Sequence, residues 1–142
     1  MKSALETIAL ALALAAGLAG NAFAERPANL AGTTWTLQAN RDVGQLVINT
    51  QGGPGAPGAA NCRGIDGNLN TTPDIKVRGW YCPSTGHIHF VHRNLTTGDA
   101  VRVFNGYVSD DVIGQPLYMA GTMTVLFSAF DDLGEYNFSA VK

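Results

Sequence analysis

At 142 residues with a formal net charge of -2, the chain has room for one folded domain around one core. Charged residues make up 14% of it and gather into no basic stripe, which excludes the electrostatic footprint of a nucleic-acid binder. The 17 glycines, the short runs rich in Val, Thr, Tyr and Phe, and the lack of a sustained 3.6-residue apolar period after residue 24 point to an all-β domain.

Residues 1–24 read as a leader and not as part of that domain. Lys2 precedes the run IALALALAAGLAG, which is apolar all the way round and short for a bilayer span. Ala22-Phe23-Ala24 then supplies the small-x-small form that a signal peptidase cuts after. Glu6 is untypical of such a leader, but an amphipathic helix would need a polar face that this run lacks. The expectation is a signal peptide over 1–24 and a single exported domain over 25–142. That domain would be secreted or periplasmic, with no membrane attachment after cleavage.

Eight strands follow in order. The first covers Thr33 to Ala39, and the polar Asn40-Arg41-Asp42 turns the chain into Gly44 to Asn49. Gly52 to Ala60, GGPGAPGAA, is too rich in Gly and Pro for a strand and reads as a mobile loop. Strands are then expected over Cys62 to Leu69, Lys76 to Cys82, His87 to Arg93, Ala100 to Ser109, Leu117 to Ala129 and Gly134 to Val141. Thr85-Gly86 sits where a tight reversal needs a residue that tolerates positive φ. Short connections and the absence of helices predict an antiparallel up-and-down meander closed into a barrel, because closure removes the exposed edges of an open sheet.

Export makes Cys62 and Cys82 a pair to test. Thr71-Thr72-Pro73 lies at the centre of the interval, so a hairpin about that centre sets the start of one strand beside the end of the next, with the two sulfurs facing. A bridge there closes a loop of roughly 21 residues and removes unfolded-state entropy worth roughly 3 kcal/mol. Two free thiols or a metal site are the alternatives, and no C-x-x-C spacing supports the latter.

Four stretches together carry a family resemblance. They are Leu30-Ala31-Gly32-Thr33-Thr34-Trp35, Val77-Arg78-Gly79-Trp80-Tyr81, Val103-Phe104-Asn105-Gly106-Tyr107-Val108 and the terminal Gly134 to Lys142, GEYNFSAVK. In that order, over almost the whole domain, they resemble the avidin and streptavidin family, with the Gly52 to Ala60 loop as an addition. The resemblance implies an eight-stranded barrel with a ligand pocket at one open end, assembled as dimers or tetramers, with biotin as the candidate ligand and no cofactor.

By the same resemblance, the polar shell around biotin is largely replaced. The family's first-strand Asn falls on Leu37, the following Ser near Gly44 or Gln45, the third-strand Tyr on Asp66, and the last-strand acid or amide on Tyr136. Three tryptophan positions fall on Ile88, Phe104 and Thr124, and the loop that supplies a fourth shortens to Asp131-Asp132-Leu133. Each biotin polar group left without a partner costs about 1 to 3 kcal/mol, and each missing aromatic wall removes apolar contact. Alternation aims Arg102, Phe104, Tyr136 and Phe138 into one barrel, where Arg102 and Asp66 could pair or recognise a charged ligand. Otherwise Arg102 is a surface residue and Asp66 a turn residue.

The histidines carry a separate hypothesis. His87 and His89 share a strand face, the spacing that offers a metal two imidazoles, while His92 falls on the other face and no third ligand is identifiable. The competing reading puts Ile88 and Phe90 toward the core and the two outward histidines on a solvated or subunit surface. No serine has the G-x-S-x-G turn of an esterase nucleophile, and the Asp110-Asp111 and Asp131-Asp132 pairs fit solvated turns. The expectation is therefore an exported barrel that binds a small ligand without catalysis. Its candidate ligand-binding residues are Gln45, Asp66, Ile88, Phe90, Arg102, Phe104, Thr124 and Tyr136, and it forms a homo-oligomer. The alternatives are a barrel acting on other proteins through its surface, as an inhibitor or interaction module, and a metal-dependent enzyme built on His87 and His89.

Overall fold

The computed structural model describes residues 25–39, 42–55, 60–70, 75–127 and 132–142. Eight strands follow in order: β1 (Thr33–Ala39), β2 (Asp42–Pro54), β3 (Arg63–Asn70), β4 (Ile75–Cys82), β5 (His87–Arg93), β6 (Ala100–Val108), β7 (Tyr118–Val125) and β8 (Gly134–Val141). Each pairs antiparallel with its sequence neighbour, and β8 returns to β1 through Leu37↔Ala140 and Ala39↔Phe138. The result is a closed up-and-down barrel. β1, β5 and β8 have the bounds expected from the sequence. β7 is shorter, ending at Val125, after which Leu126 and Phe127 are exposed.

The Gly-Pro-rich loop expected from Gly52 needs correction. β2 continues through Gly52, Gly53 and Pro54, where Gly52 pairs with Gly64 and Pro54 with Arg63 across register shifts. A glycine in the left-handed region at Gly53 (φ 67°) and a proline at the last strand position are what a bulged strand end accommodates. Residues 56–59 of that expected loop lie outside the described residues, as do the turns at 40–41 and 71–74 and the leader.

Alternation builds the core. Trp35, Leu37 and Ala39 on β1, Ile65 and Leu69 on β3, Ile88 and Phe90 on β5 and Met119, Met123 and Val125 on β7 are all buried within the barrel. At the centre, inward glycines allow close approach. Gly106 and Gly121 face each other across β6 and β7, and a Cβ on Gly106 would run into the Ala120 carbonyl and the Phe138 ring. A Cβ on Gly121 would meet the Asn105 carbonyl, so both positions require glycine for close approach.

The two rims differ. At the N-terminal rim, formed by the β2–β3, β4–β5 and β6–β7 connections, residues 25–30 lie across the end of the barrel and bury Leu30. Gln51 holds the second half of this segment, accepting from the Leu30 N–H at 2.8 Å and donating to the Ala28 carbonyl at 3.0 Å. The Tyr81 hydroxyl donates to the Pro27 carbonyl at 2.8 Å, Arg26 pairs with Asp110 at 3.3 Å, and Glu25 bridges to Asp111. Burial pushes the Tyr81 hydroxyl up to about 12; Arg26 opposes that shift and Asp110 adds to it.

The Cys62–Cys82 disulfide lies at this rim too. The β3–β4 register sets Arg63 opposite Tyr81, so the residues one step outward, Cys62 and Cys82, meet as the hairpin about residue 72 requires. Such a bond suits an oxidising compartment. Among the described residues no helix is long and apolar enough to cross a membrane.

Candidate binding surfaces

The barrel interior is the first place to seek a ligand site. Phe90 and Phe104 are cross-strand partners on β5 and β6, and their rings stack at 4.4 Å between centroids. Phe138 meets both edge to face, at 6.1 Å from Phe90 and 5.5 Å from Phe104. Stacked and T-shaped pairs at these separations add to the apolar burial of each ring. All three are at most 3% exposed, and the rings pack together inside the barrel at the middle of β5, β6 and β8.

Above these rings, toward the rim opposite the N-terminal one, the inner face turns polar. Arg102 and Tyr136 continue the inward positions of Phe104 and Phe138, as alternation predicts, and His92 continues those of Ile88 and Phe90. His92 is the cross-strand partner of Arg102. Burial, and then the Arg102 charge, holds the His92 pKa below its ordinary value, and its Nδ1 is buried without a hydrogen-bond partner. The Tyr136 hydroxyl donates to the Asp132 carbonyl at 2.8 Å.

Five of the eight sequence-expected ligand residues thus share the inner face: Ile88, Phe90, Arg102, Phe104 and Tyr136. The other three lie on the outside. Asp66 sits between inward Ile65 and Gly67, is exposed, and pairs with Arg78 at 2.7 Å, so it does not meet Arg102 in the barrel. Gln45 pairs across strands with Thr36 and Asn70, all exposed, and Thr124 lies between the buried Met123 and Val125. The signal was in the pattern: apolar neighbours of one parity fix the face of the residue between them.

The outer wall carries an arrangement that the strand-by-strand reading found only in part. His87 and His89 do face outward together, and both pack on Trp80. His87 meets it edge-on at 4.8 Å and His89 stacks at 5.3 Å. His87 also stacks on Tyr107 at 5.0 Å, and His89 Nδ1 shares a 2.7 Å hydrogen bond with Asn105 Oδ1. These contacts follow from register, since Trp80 pairs with His89, His89 with Asn105, and His87 with Tyr107. Ring stacking and the amide bond thus engage the two imidazoles, and among the described residues no three His, Cys, Asp or Glu side chains gather where a metal could bind.

This aromatic row lies along one side of an uncharged surface. Outward positions from His87 to His89 on β5, Val103 to Tyr107 on β6 and Tyr118 to Thr124 on β7 contain no Lys, Arg, Asp or Glu. Tyr107 is 61% and Tyr118 53% exposed. The neighbouring wall is different: β3 and β4 present Asp66, Lys76 and Arg78. Depletion of charge with exposed aromatic residues is the composition that marks the centre of protein interfaces.

Neither the protein-family models nor the curated proteins contain a match to this chain.

Proposed function

We propose that this protein is an exported, avidin-like barrel that works by binding and not by catalysis, and that it binds other protein surfaces through its outer wall. The observation that carries this reading is the ring cluster inside the barrel: Phe90, Phe104 and Phe138 pack on one another, so a ligand entering to their depth would have to displace them. Opening that space would expose three rings, each of whose burial contributes about 1.5 to 3 kcal/mol. The ordered motifs and the closed eight-stranded topology support the avidin likeness, and the disulfide supports export.

The first partner on this reading is a second copy of the chain. A face without net charge meets its own copy without repulsion, and the Asn105 and Thr122 side chains each offer donors and acceptors to a symmetry mate. Light scattering on the purified protein, alongside calorimetric titration with biotin, tests the proposal. The expected outcome is a dimer or larger species and no biotin heat. A monomer with a saturating biotin isotherm would overturn it.

A second reading rests on the inner polar rim. His92, Arg102 and Tyr136 are only partly buried and face the barrel axis, which supports a small polar ligand, or biotin bound weakly in an altered pose, held at the mouth above the rings. Saturable biotin heat that Tyr136→Phe weakens is the result that would favour this reading over the first.

A further inference from the structure

We propose that a groove on the outside of the barrel, below the β5–β6 turn, binds a small amphipathic anion, a carboxylate carried on an apolar chain. The groove encloses about 350 Å³ and is lined by Lys76 and Arg78 from β4, Val91 and Arg93 from β5, and Asn94 and Leu95 from the turn. That volume lies at the small end of the range of about 300 to 1,000 Å³ typical of small-molecule sites. Three of its six lining residues are cations, in a chain whose net charge is negative.

The cations are held at different degrees of readiness. Arg93 Nη1 donates to the Gly98 carbonyl at 2.9 Å, and Arg78 is fixed by Asp66 at 2.7 Å, which offsets its charge. Lys76 is exposed and makes no ion pair among the described residues. An anion would therefore meet one oriented guanidinium and one mobile ammonium. Preorganised donors lose less entropy on binding than free ones.

The apolar part is equally deliberate in its construction. Leu95 is 82% exposed, yet it stands on a closed turn. Asn94 Oδ1 accepts from the Thr96 and Thr97 N–H groups, the Asn94 N–H donates to the Asp99 carbonyl, and Gly98 (φ 77°) donates back to the Asn94 carbonyl. This network keeps Leu95 at the rim of the groove, with Val91 also lining it, so a chain attached to the carboxylate has apolar surface to lie on. On the other side of the same turn a second groove carries Asp99, Leu126 and Phe127 and no cation. Charge therefore directs an anion to the Lys76 side.

Decanoate is the probe, titrated into the purified full-length folded protein while the methyl signals of Val91 and Leu95 are followed by NMR. Saturable shifts of both are expected. Lys76→Gln should weaken binding at least about tenfold, the size of one charge-assisted hydrogen bond. Leu95→Ser, at an exposed turn position, should weaken it while leaving the fold intact. Inorganic phosphate, which lacks the chain, should produce no saturable shift. Phosphatidylglycerol vesicles test the other source of the same chemistry, and sedimentation with them in the absence of decanoate binding would overturn the proposal, as would wild-type affinity in both variants. Biotin is itself a carboxylate on a short apolar chain, so biotin heat that Lys76→Gln abolishes belongs to this groove and biotin heat that it leaves unchanged belongs to the barrel; oligomer mass does not read the groove, so the two proposals fail separately.

Discussion

The same three strands, β5 to β7, show opposite chemistry on their two faces. Inward they carry Ile88, Phe90, Phe104, Gly106, Met119, Gly121 and Met123, packed so closely that Gly106 is needed to admit the Phe138 ring and Gly121 to let β6 and β7 approach. Outward, from His87 to His89, Val103 to Tyr107 and Tyr118 to Thr124, they carry imidazoles, hydroxyls, an amide and phenols and no Lys, Arg, Asp or Glu, with Arg93 lying beyond that stretch at the far end of β5. The inner face packs the core, and on the reading proposed above the outer face makes the contacts with other proteins. The contrast also separates two kinds of substitution, those that act on folding and those that act on association.

The strongest way to break the inner face is Phe104→Ala. Removing a ring in contact with two others should cost about 3 to 5 kcal/mol, measured by denaturant unfolding. If the loss were under about 1 kcal/mol, in the range of a surface change, the interior would not hold the packed ring cluster described here. Replacing Cys62 and Cys82 by Ser should cost roughly 3 kcal/mol through the freed unfolded chain, with the barrel wall unaltered. Gly121→Ala follows, at about 1 to 3 kcal/mol, because the new methyl must displace the Asn105 carbonyl.

The outer face should respond in a different currency. Thr122→Arg should change the stability of the single chain by less than about 0.5 kcal/mol and yet convert the oligomer proposed above to monomer in light scattering, because it places a charge at the centre of the uncharged wall. An unchanged oligomer would move the interface to another part of the barrel. The smallest expected effect sharpens the boundary between the faces. Neutral His92 is favoured by folding, so its contribution is complete above pH 6.5 and is lost as pH falls from 6.5 through its lower folded-state value. Tm against pH should decline over that window, and His92→Gln should flatten the decline.

Much of this architecture was legible in the sequence because it rests on local rules. Period-two patterning and turn residues give the strand order, and the centring of Thr71-Thr72-Pro73 between the cysteines gives the disulfide. The inward set Arg102, Phe104, Tyr136 and Phe138 follows from parity alone. Positions counted across an insertion fared differently. Gln45 and Asp66 were placed by family spacing, yet the buried Leu46 next to Gln45 and the buried Ile65 next to Asp66 turn both outward, and the two register irregularities in β2 then shift the count between them. Thr124 had the same origin, although Met123 and Val125 on either side already implied its outward direction. The contacts among Trp80, His87, His89 and Tyr107 depend on the pairing register of three strands, which a single chain's pattern does not specify.

The N-terminal segment has a practical consequence. Glu25 joins the β6–β7 connection at Asp111, and Lys142 donates its N–H to Leu117 in that same connection. The polypeptide thus enters and leaves the barrel at one rim, a few residues from a shared anchor. A tether joined to the side chain of Glu25 or of Lys142 would hold the molecule by that rim and present the opposite one, with its polar mouth and the Lys76 groove, outward.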